Sequence, residues 1–168
     1  MRYAVIATPI GDLVAWGEDE VLFGLGFADS PRSVRIEPAW RRDDTALQHV
    51  AEQLEAYFAG RITRFDLKLA MHGTSFQRRV WTALQTIPYG ATTTYGELAR
   101  ELGEPRAIRA VGGANARNPI SIVIPCHRLI GADGSLTGYA GGLQRKQWLL
   151  ARIIHGDSRR ASKASHRG

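Results

Sequence analysis

The chain has 168 residues, 44% of them apolar, and a net charge of +6, so it is long enough for one large domain or two small ones that fold by packing alone. Its only cysteine, Cys126, excludes an internal disulfide and a structural zinc held by several thiolates. No apolar stretch approaches the ~20 residues of a membrane helix, and the apolar start, Met1–Ile6, is too short for a signal peptide, so we expect a soluble protein of the cytoplasm.

The first part of the chain has the pattern of a small sheet covered by one helix. Apolar residues recur at helical spacing between Asp44 and Gly60, with Asp43 or Asp44 as the N-cap and Gly60 as the stop. Turn sequences separate three short segments rich in Val, Leu and aromatic residues, namely Tyr3–Thr8, Leu13–Trp16 and Val21–Phe27. We predict a three-stranded antiparallel meander with an amphipathic helix packed on it.

The composition changes around His72–Thr74, where we place a boundary between an N-terminal α/β domain, residues 1–73, and a mainly helical C-terminal domain, residues 74–155. Its first predicted helices are Ser75–Ile87, Thr94–Leu102, which opens with the Thr-x-x-Glu spacing of a capping box, and Ala107–Arg117. A helix, a short turn and a basic helix form the outline of a helix-turn-helix, although any small helical domain can contain such a pair.

Two glycines, Gly112 and Gly113, lie inside the predicted basic helix. Each costs roughly 1 kcal/mol relative to Ala in a helix, so we expect a close approach of the backbone to DNA or to a neighbouring helix.

The segment Ile120–Ile124 is an apolar, β-branched run that predicts a buried strand, and it ends in Pro125-Cys126-His127-Arg128. Glycine-rich loops follow, and then a last predicted helix from Leu143 to about Ile154. We expect residues 156–168, which are basic and rich in Ser and Ala, to form a disordered tail.

Charge is divided unevenly along the chain. Up to Thr74 there are 8 Lys and Arg against 11 Asp and Glu, whereas from Ser75 onward there are 14 against 5. A basic C-terminal half is typical of a surface that faces a polyanion such as nucleic acid, although a merely soluble basic surface would have the same composition.

The cysteine is followed directly by His127 and Arg128. A cysteine attacks as its thiolate, and a free thiol with a pKa of about 8.5 is mostly protonated at neutral pH, so a nucleophilic cysteine needs a base or a positive environment. Its two neighbours are candidates for both. For an isolated Cys-His pair, a buried structural cysteine beside a surface histidine remains the alternative.

A longer pattern surrounds the cysteine. It consists of Pro88-Tyr89-Gly90, Tyr95-Gly96-Glu97-Leu98-Ala99, Arg109-Ala110-Val111-Gly112-Gly113-Ala114-Asn115, the unbroken string from Asn118 to Arg128, and Gly138-Tyr139-Ala140-Gly141-Gly142. From about Phe76 to Leu150 the chain closely resembles the O6-alkylguanine-DNA alkyltransferases, also called methylated-DNA–protein-cysteine methyltransferases. The resemblance implies an α+β fold: a small N-terminal three-stranded antiparallel sheet with a helix, ribonuclease-H-like, and then a mainly helical domain with a helix-turn-helix and the active-site cysteine.

The resemblance also implies direct-reversal DNA repair without a cofactor. In this family the damaged nucleotide rotates out of the duplex, and the alkyl group of O6-alkylguanine, or of O4-alkylthymine, moves to the cysteine. Cys126 resembles the acceptor, which keeps the alkyl group as a stable thioether and therefore reacts only once. His127 resembles the residue that takes the thiol proton through a water, Asn118 the amide that orders this region, and Tyr95 the hydroxyl that helps to rotate the nucleotide.

The family places its basic helix in the minor groove, where little sequence is read. Arg109 resembles the finger that enters the duplex where the base has left. The other residues that we assign to DNA binding are Ala110, Gly112, Gly113, Asn115, Arg117 and Arg128. The residues assigned to the pocket for the damaged base are Pro125, Leu129, Tyr139 and Ala140. The carbonyls of Cys126 and Leu129 are implied to accept from the guanine amine.

At one position the sequence departs from the family. A glutamate usually follows the Leu-Leu pair of the last helix and hydrogen-bonds the motif histidine, but Ile153 stands there in this chain. Because an orienting carboxylate stabilises the imidazolium, we expect a less activated thiol, and faster transfer in an Ile153→Glu variant. With a single cysteine, the N-terminal zinc site of some relatives is not expected.

The expected partner is double-stranded DNA that carries O6-alkylguanine, bound by a monomer, and side-by-side binding of several copies stays open. Three other functions remain as alternatives. A non-catalytic sensor of alkylated DNA commonly has tryptophan at the acceptor position, and a helix-turn-helix regulator has no need of Cys126. A cysteine hydrolase would need an oxyanion hole that the sequence does not suggest.

Overall fold

The N-terminal part of the computed structural model, which describes residues 1–30 and 34–151, is built around a sheet. Its described strands are β1 (Arg2–Ile6), β2 (Leu13–Glu18), β3 (Val21–Phe27), β4 (Arg41–Arg42) and β5 (Lys68–Leu69). They lie in the order β4-β1-β2-β3-β5, with antiparallel pairing in the centre and parallel pairing at both edges. The predicted meander is therefore confirmed. The edge strands β4 and β5 were not predicted, because two residues are too few to show the alternation of apolar and polar residues that marks a strand.

The predicted amphipathic helix is α1 (Gln48–Phe58), and it buries Val50, Leu54, Tyr57 and Phe58. It begins later than its predicted caps. Asp43 accepts a hydrogen bond from the backbone N–H of Ala46 at 3.0 Å, so it stabilises the turn before the helix instead of the helix itself. Gly60 follows the helix with a φ of 78°, the left-handed conformation that commonly ends helices.

The C-terminal part consists of helices and one short strand pair. Its described elements are α2 (Ser75–Leu84), β6 (Thr93–Thr94), α3 (Tyr95–Glu101), α4 (Ile108–Ala116), β7 (Leu129–Ile130) and α5 (residues 143–151, where the described residues end). The capping box predicted at Thr94 and Glu97 is present, and Thr74 forms a second one with Gln77 at the start of α2. α2 ends at Leu84 instead of the predicted Ile87, because the chain turns tightly before Pro88.

The basic helix α4 is held against α2 by a buried tryptophan. Trp81 is 1% exposed, and its indole N–H donates to the carbonyl oxygen of Ala114 at 2.8 Å. A buried indole needs such a partner, so this bond fixes both the distance and the register between the two helices. The outer face of α4 is thereby left exposed.

The strand predicted at Ile120–Ile124 is wrong. Ile122 has a φ of 71°, and the segment forms only isolated bridges, one to Leu25 of β3. Asn118 explains the shape, because its side chain accepts from the N–H of Ile120 at 2.9 Å and donates to the carbonyl of Ile124 at 2.8 Å, closing a compact loop. All of its residues except the half-buried Val123 are nevertheless buried, as those of a central strand would be.

The predicted division into domains at residue 73 stays a prediction. The proposed tail, residues 156–168, and the end of the last predicted helix at Ile154 lie outside the described residues. Within the described ranges, no helix is long and apolar enough to cross a membrane.

Candidate active site

Cys126 opens a single turn of 3₁₀ helix, Cys126–Arg128, directly after the buried Pro125. The cysteine is only 4% exposed. Burial raises the pKa of its thiol from 9.0 to about 11, although a hydrogen bond from the Asn118 side chain and the charge of Lys146 act in the opposite direction. In the free protein the thiol is therefore neutral at physiological pH.

His127 is completely buried beside it. Neither ring nitrogen has a hydrogen-bond partner among residues 1–30 and 34–151. Burial, together with the charges of Arg128 and Lys146, lowers the pKa of His127 to about 3, so the imidazole is neutral and can act as a proton acceptor. Ile153, at the position of the family's glutamate, lies outside the described residues.

Two asparagines brace the loop that carries the cysteine. Asn118 closes the turn before it, as described above, and Asn115 donates to the carbonyl oxygen of Cys126 at 3.4 Å. Asn115 is 5% exposed and its amide supports the cysteine turn, so the structure gives it a role in the interior, and its assignment to DNA binding stays a prediction.

Lys146 is a site residue that sequence reasoning missed. Its side chain is fully buried, and its ammonium donates to the carbonyl oxygens of Leu129 at 2.6 Å and Thr137 at 3.1 Å. Burial lowers the pKa of Lys146, while a negative charge on Cys126 raises it. Helical spacing offered a signal, because this lysine stands three and four residues before the buried Leu149 and Leu150 and so shares their face.

A cavity of about 710 Å³ lies between α4 and the loop before α5. Its lining residues come from both parts of the chain: Trp16, Tyr95, Gly112, Ala116, Arg117, Asn118, Pro119, Thr137, Gly138, Tyr139 and Ala140. The tryptophan belongs to β2 and was not predicted. The hydroxyl of Tyr95 accepts a hydrogen bond from Thr137 at 2.8 Å, which ties α3 to this loop.

Tyr139 belongs both to the lining of the cavity and to the apolar cluster that contains Cys126. It lines the cavity, but its hydroxyl is buried and has no partner among the described residues. Burial and the negative charge of ionised Cys126 both raise the pKa of Tyr139 well above 10.0. Ala140 also lines the cavity, whereas Pro125 and Leu129, the other predicted pocket residues, lie in the interior.

The outer surface of α4 presents the predicted DNA-binding residues. Arg109, Ala110, Gly113 and Arg117 are exposed, and Gly112 is half-buried against the ring of Tyr95. This surface adjoins the cavity, since two residues of α4 and the next residue, Arg117, also line it. A basic residue, Arg117, therefore lies at the cavity, and the exposed Arg109 lies on the same helix.

Arg128 does not belong to that surface, and its assignment to DNA binding stays a prediction. It is 6% exposed, and its guanidinium donates to the carbonyl of Ile87 at 2.8 Å and to the hydroxyl of Tyr57 at 3.4 Å. Its charge also lies 5.7 Å from the centre of the Tyr89 ring. These contacts join the cysteine turn to α1 and to the turn after α2.

Comparisons with known proteins agree along the whole described chain. The model of the 6-O-methylguanine DNA methyltransferase ribonuclease-like domain matches residues 1–71, and that of the 6-O-methylguanine DNA methyltransferase DNA binding domain matches residues 75–152. A methylated-DNA–protein-cysteine methyltransferase from Mycolicibacterium paratuberculosis is 53% identical over 154 residues, which cover 90% of this chain and 91% of that protein. Its namesake from Methanosarcina acetivorans is 49% identical over 150 residues, covering 89% and 96%.

A solved structure supports the same assignment. The crystal structure of Mycobacterium tuberculosis OGT in complex with DNA matches with a TM-score of 0.88 and 47% identity, covering 93% of this chain and 94% of that one. The fold, the cysteine turn and the matched residue ranges lead to one conclusion: the chain belongs to the 6-O-methylguanine DNA methyltransferase family.

Proposed function

We propose that this protein repairs DNA directly, by moving the alkyl group from O6 of guanine to the sulfur of Cys126 in a single turnover. The observation that carries this proposal is the position of the only cysteine in the sequence: it is buried beside His127, whose ring has no hydrogen-bond partner among the described residues, and its apolar cluster includes Tyr139, which lines the cavity next to α4. The relatives that are about half identical carry the name of this activity.

The cavity is the proposed receptor for the damaged base. Its volume of about 710 Å³ is within the range of ligand pockets, roughly 300–1,000 Å³, and it is open towards the surface that would face DNA. A base inside a duplex cannot reach a buried sulfur, so the nucleotide has to rotate out of the stack. Tyr95, Tyr139 and Ala140 line the cavity and are the proposed contacts of the base, and the exposed Arg109 is the proposed residue that takes the space left in the duplex.

The transfer exchanges one bond for another. The sulfur of Cys126 forms a bond to the alkyl carbon, the bond between that carbon and O6 breaks, and the electron pair stays on the guanine, which then takes up a proton. The thiol proton passes through a water to His127. The pKa of about 11 for the thiol and of about 3 for the imidazole both oppose an ion pair in the free protein.

The product explains why the reaction stops. Water does not remove the alkyl group from a thioether at neutral pH, because the thiolate is a poor leaving group. The free thiol is therefore not regenerated, and each molecule accepts one alkyl group. O4-alkylthymine offers the same leaving-group chemistry and is the proposed second substrate.

Intact mass after incubation with a duplex that contains O6-methylguanine tests the function. One methyl group on the peptide of Cys126, and none on a Cys126→Ser variant, is the expected result. A protein that binds this duplex without gaining a methyl group would be a lesion sensor, and the repair assignment would fall.

The proposal places the protein in the cytoplasm, where it acts as a monomer on duplex DNA. Sedimentation of the free protein tests the oligomeric state, and sedimentation with a duplex containing one lesion tests the stoichiometry. A dimer of the free protein would contradict a monomer, whereas two or more monomers on one duplex would show side-by-side binding.

A further inference from the structure

The loop that carries Tyr139 is fastened to the N-terminal sheet through one arginine. Arg145 lies in the first turn of α5, and its guanidinium donates to the two carboxylate oxygens of Asp29 at 2.7 and 2.9 Å. It also donates to the carbonyl of Ile10 at 2.7 Å and to that of Gly141 at 3.2 Å. One side chain therefore connects two N-terminal segments with the wall of the cavity.

Packing reinforces these hydrogen bonds. The charge of Arg145 lies 4.1 Å from the centre of the Phe27 ring, and the edge of that ring meets Tyr139 with 6.4 Å between the ring centres. The backbone approaches as closely as the side chains, because a Cβ added at Gly141 would lie 2.6 Å from the Phe27 ring. Ser30 adds a hydrogen bond to the carbonyl of Ala140 at 3.1 Å.

The ion pair between Asp29 and Arg145 matters more for the position of the loop than for the stability of the protein. The Asp29 side chain is 68% exposed, and exposed pairs stabilise proteins little. Their geometry is more informative, since a planar guanidinium that meets a carboxylate in two parallel bonds fixes direction as well as distance. Arg145 directs its donors at four acceptor oxygens, a pattern that a lysine cannot reproduce.

We infer that Asp29 and Arg145 are positioning residues for alkyl transfer, because they fix the Tyr139–Gly141 loop against β3 and thereby set the part of the cavity wall that packs on the apolar cluster of Cys126. The transfer step of this inference rests on the proposed function, whereas the position of the loop does not. Neither residue contacts the sulfur, so both act through Phe27 and Tyr139.

The experiment compares Asp29→Ala and Arg145→Lys with the unchanged protein under single-turnover conditions, at a saturating concentration of duplex containing O6-methylguanine. A misplaced reacting group can slow a reaction by up to about a hundredfold, and we expect each variant to transfer about tenfold more slowly. The affinity for the duplex should stay within about twofold, since α4 is untouched. Iodoacetamide should alkylate Cys126 faster in both variants, because the released loop exposes the sulfur.

Asp44→Ala is the matched control, because Asp44 accepts two hydrogen bonds from Arg42, at 3.3 and 3.4 Å, in an exposed pair of the same part of the chain. It should behave like the unchanged protein in all assays. Asp29→Glu keeps the carboxylate and should recover part of the rate.

A saturating rate equal to that of the unchanged protein in both variants would overturn the inference, as would a loss confined to duplex affinity. If the unchanged protein itself transfers no methyl group, the proposed function fails, but the iodoacetamide measurement still decides about the loop. Equal thiol reactivity in the unchanged protein and both variants would then refute the inference that Asp29 and Arg145 fix the loop.

Discussion

The buried thiol of Cys126 should react slowly with small reagents in the free protein, and its rate should rise with pH over an unusually wide range. Burial raises the pKa of this thiol from 9.0 to about 11. A thiol whose pKa is two pH units higher has about one-hundredth as much thiolate at neutral pH, and the thiolate is the species that attacks. The rate constant should therefore increase about tenfold per pH unit from pH 7 to 10, without a plateau.

Carboxamidomethylation by iodoacetamide, followed by intact mass, measures this rate directly. Because the chain contains one cysteine, the mass change reports that residue alone, and the urea-unfolded chain supplies the reference profile with its plateau above pH 9. Limited access to the sulfur would slow the reaction equally at every pH, so the position of the plateau distinguishes ionisation from shielding. A plateau below pH 9 in the folded protein would refute the reasoning, because the thiolate would then form without DNA.

Three further predictions concern the residues around the sulfur. Lys146→Met should move the same pH profile to higher pH, because the lysine charge lowers the thiol pKa, and an unmoved profile would show that this charge is ineffective. The folded-state pKa of His127 is about 3, below its ordinary 6.5, so this residue contributes its full stabilisation above pH 6.5 and loses it as the pH falls towards 3. Urea denaturation at pH 7, 5 and 4 should show this loss, and His127→Gln should lessen it; equal slopes in the two proteins would assign the loss to other groups. Asn118→Ala removes two hydrogen bonds from a buried loop and should lower the free energy of unfolding by about 1–3 kcal/mol, whereas a change below about 0.5 kcal/mol would show that the loop holds its shape without them.

The sequence predicted correctly those elements that are determined by interactions between residues close together in the chain. The capping box of Thr94 and Glu97 lies within four residues, and it marked the start of α3 correctly. The segment Ile120–Ile124 failed for the opposite reason. Its burial depends on β3 and its shape on the Asn118 side chain, and apolar composition does not distinguish a buried strand from a buried loop.

The candidate site divides in the same way. The motif brought Cys126, His127 and Asn118 together because they lie within ten positions of one another in the sequence. Arg128 was assigned to DNA binding, but its hydrogen-bond partners Ile87 and Tyr57 are 41 and 71 residues away, and only the tertiary structure reveals them.

The contribution of the N-terminal sheet to the site was not predicted, because its residues are far along the chain from the cysteine motif. Trp16 lines the cavity from β2, and Asp29 pairs with Arg145 across 116 residues. No pattern in one sequence connects such positions.

The low exposure of Cys126 has a consequence for the lifetime of a protein that reacts once. Oxidation to sulfenic acid and exchange with glutathione both begin with an accessible thiolate, and a sulfur that is 4% exposed with a pKa of about 11 offers very little of it. The reduced form should therefore persist under mild peroxide stress, when exposed thiols of ordinary pKa are already oxidised. A molecule synthesised long before any damage occurs would then still hold an intact acceptor when the first lesion is formed.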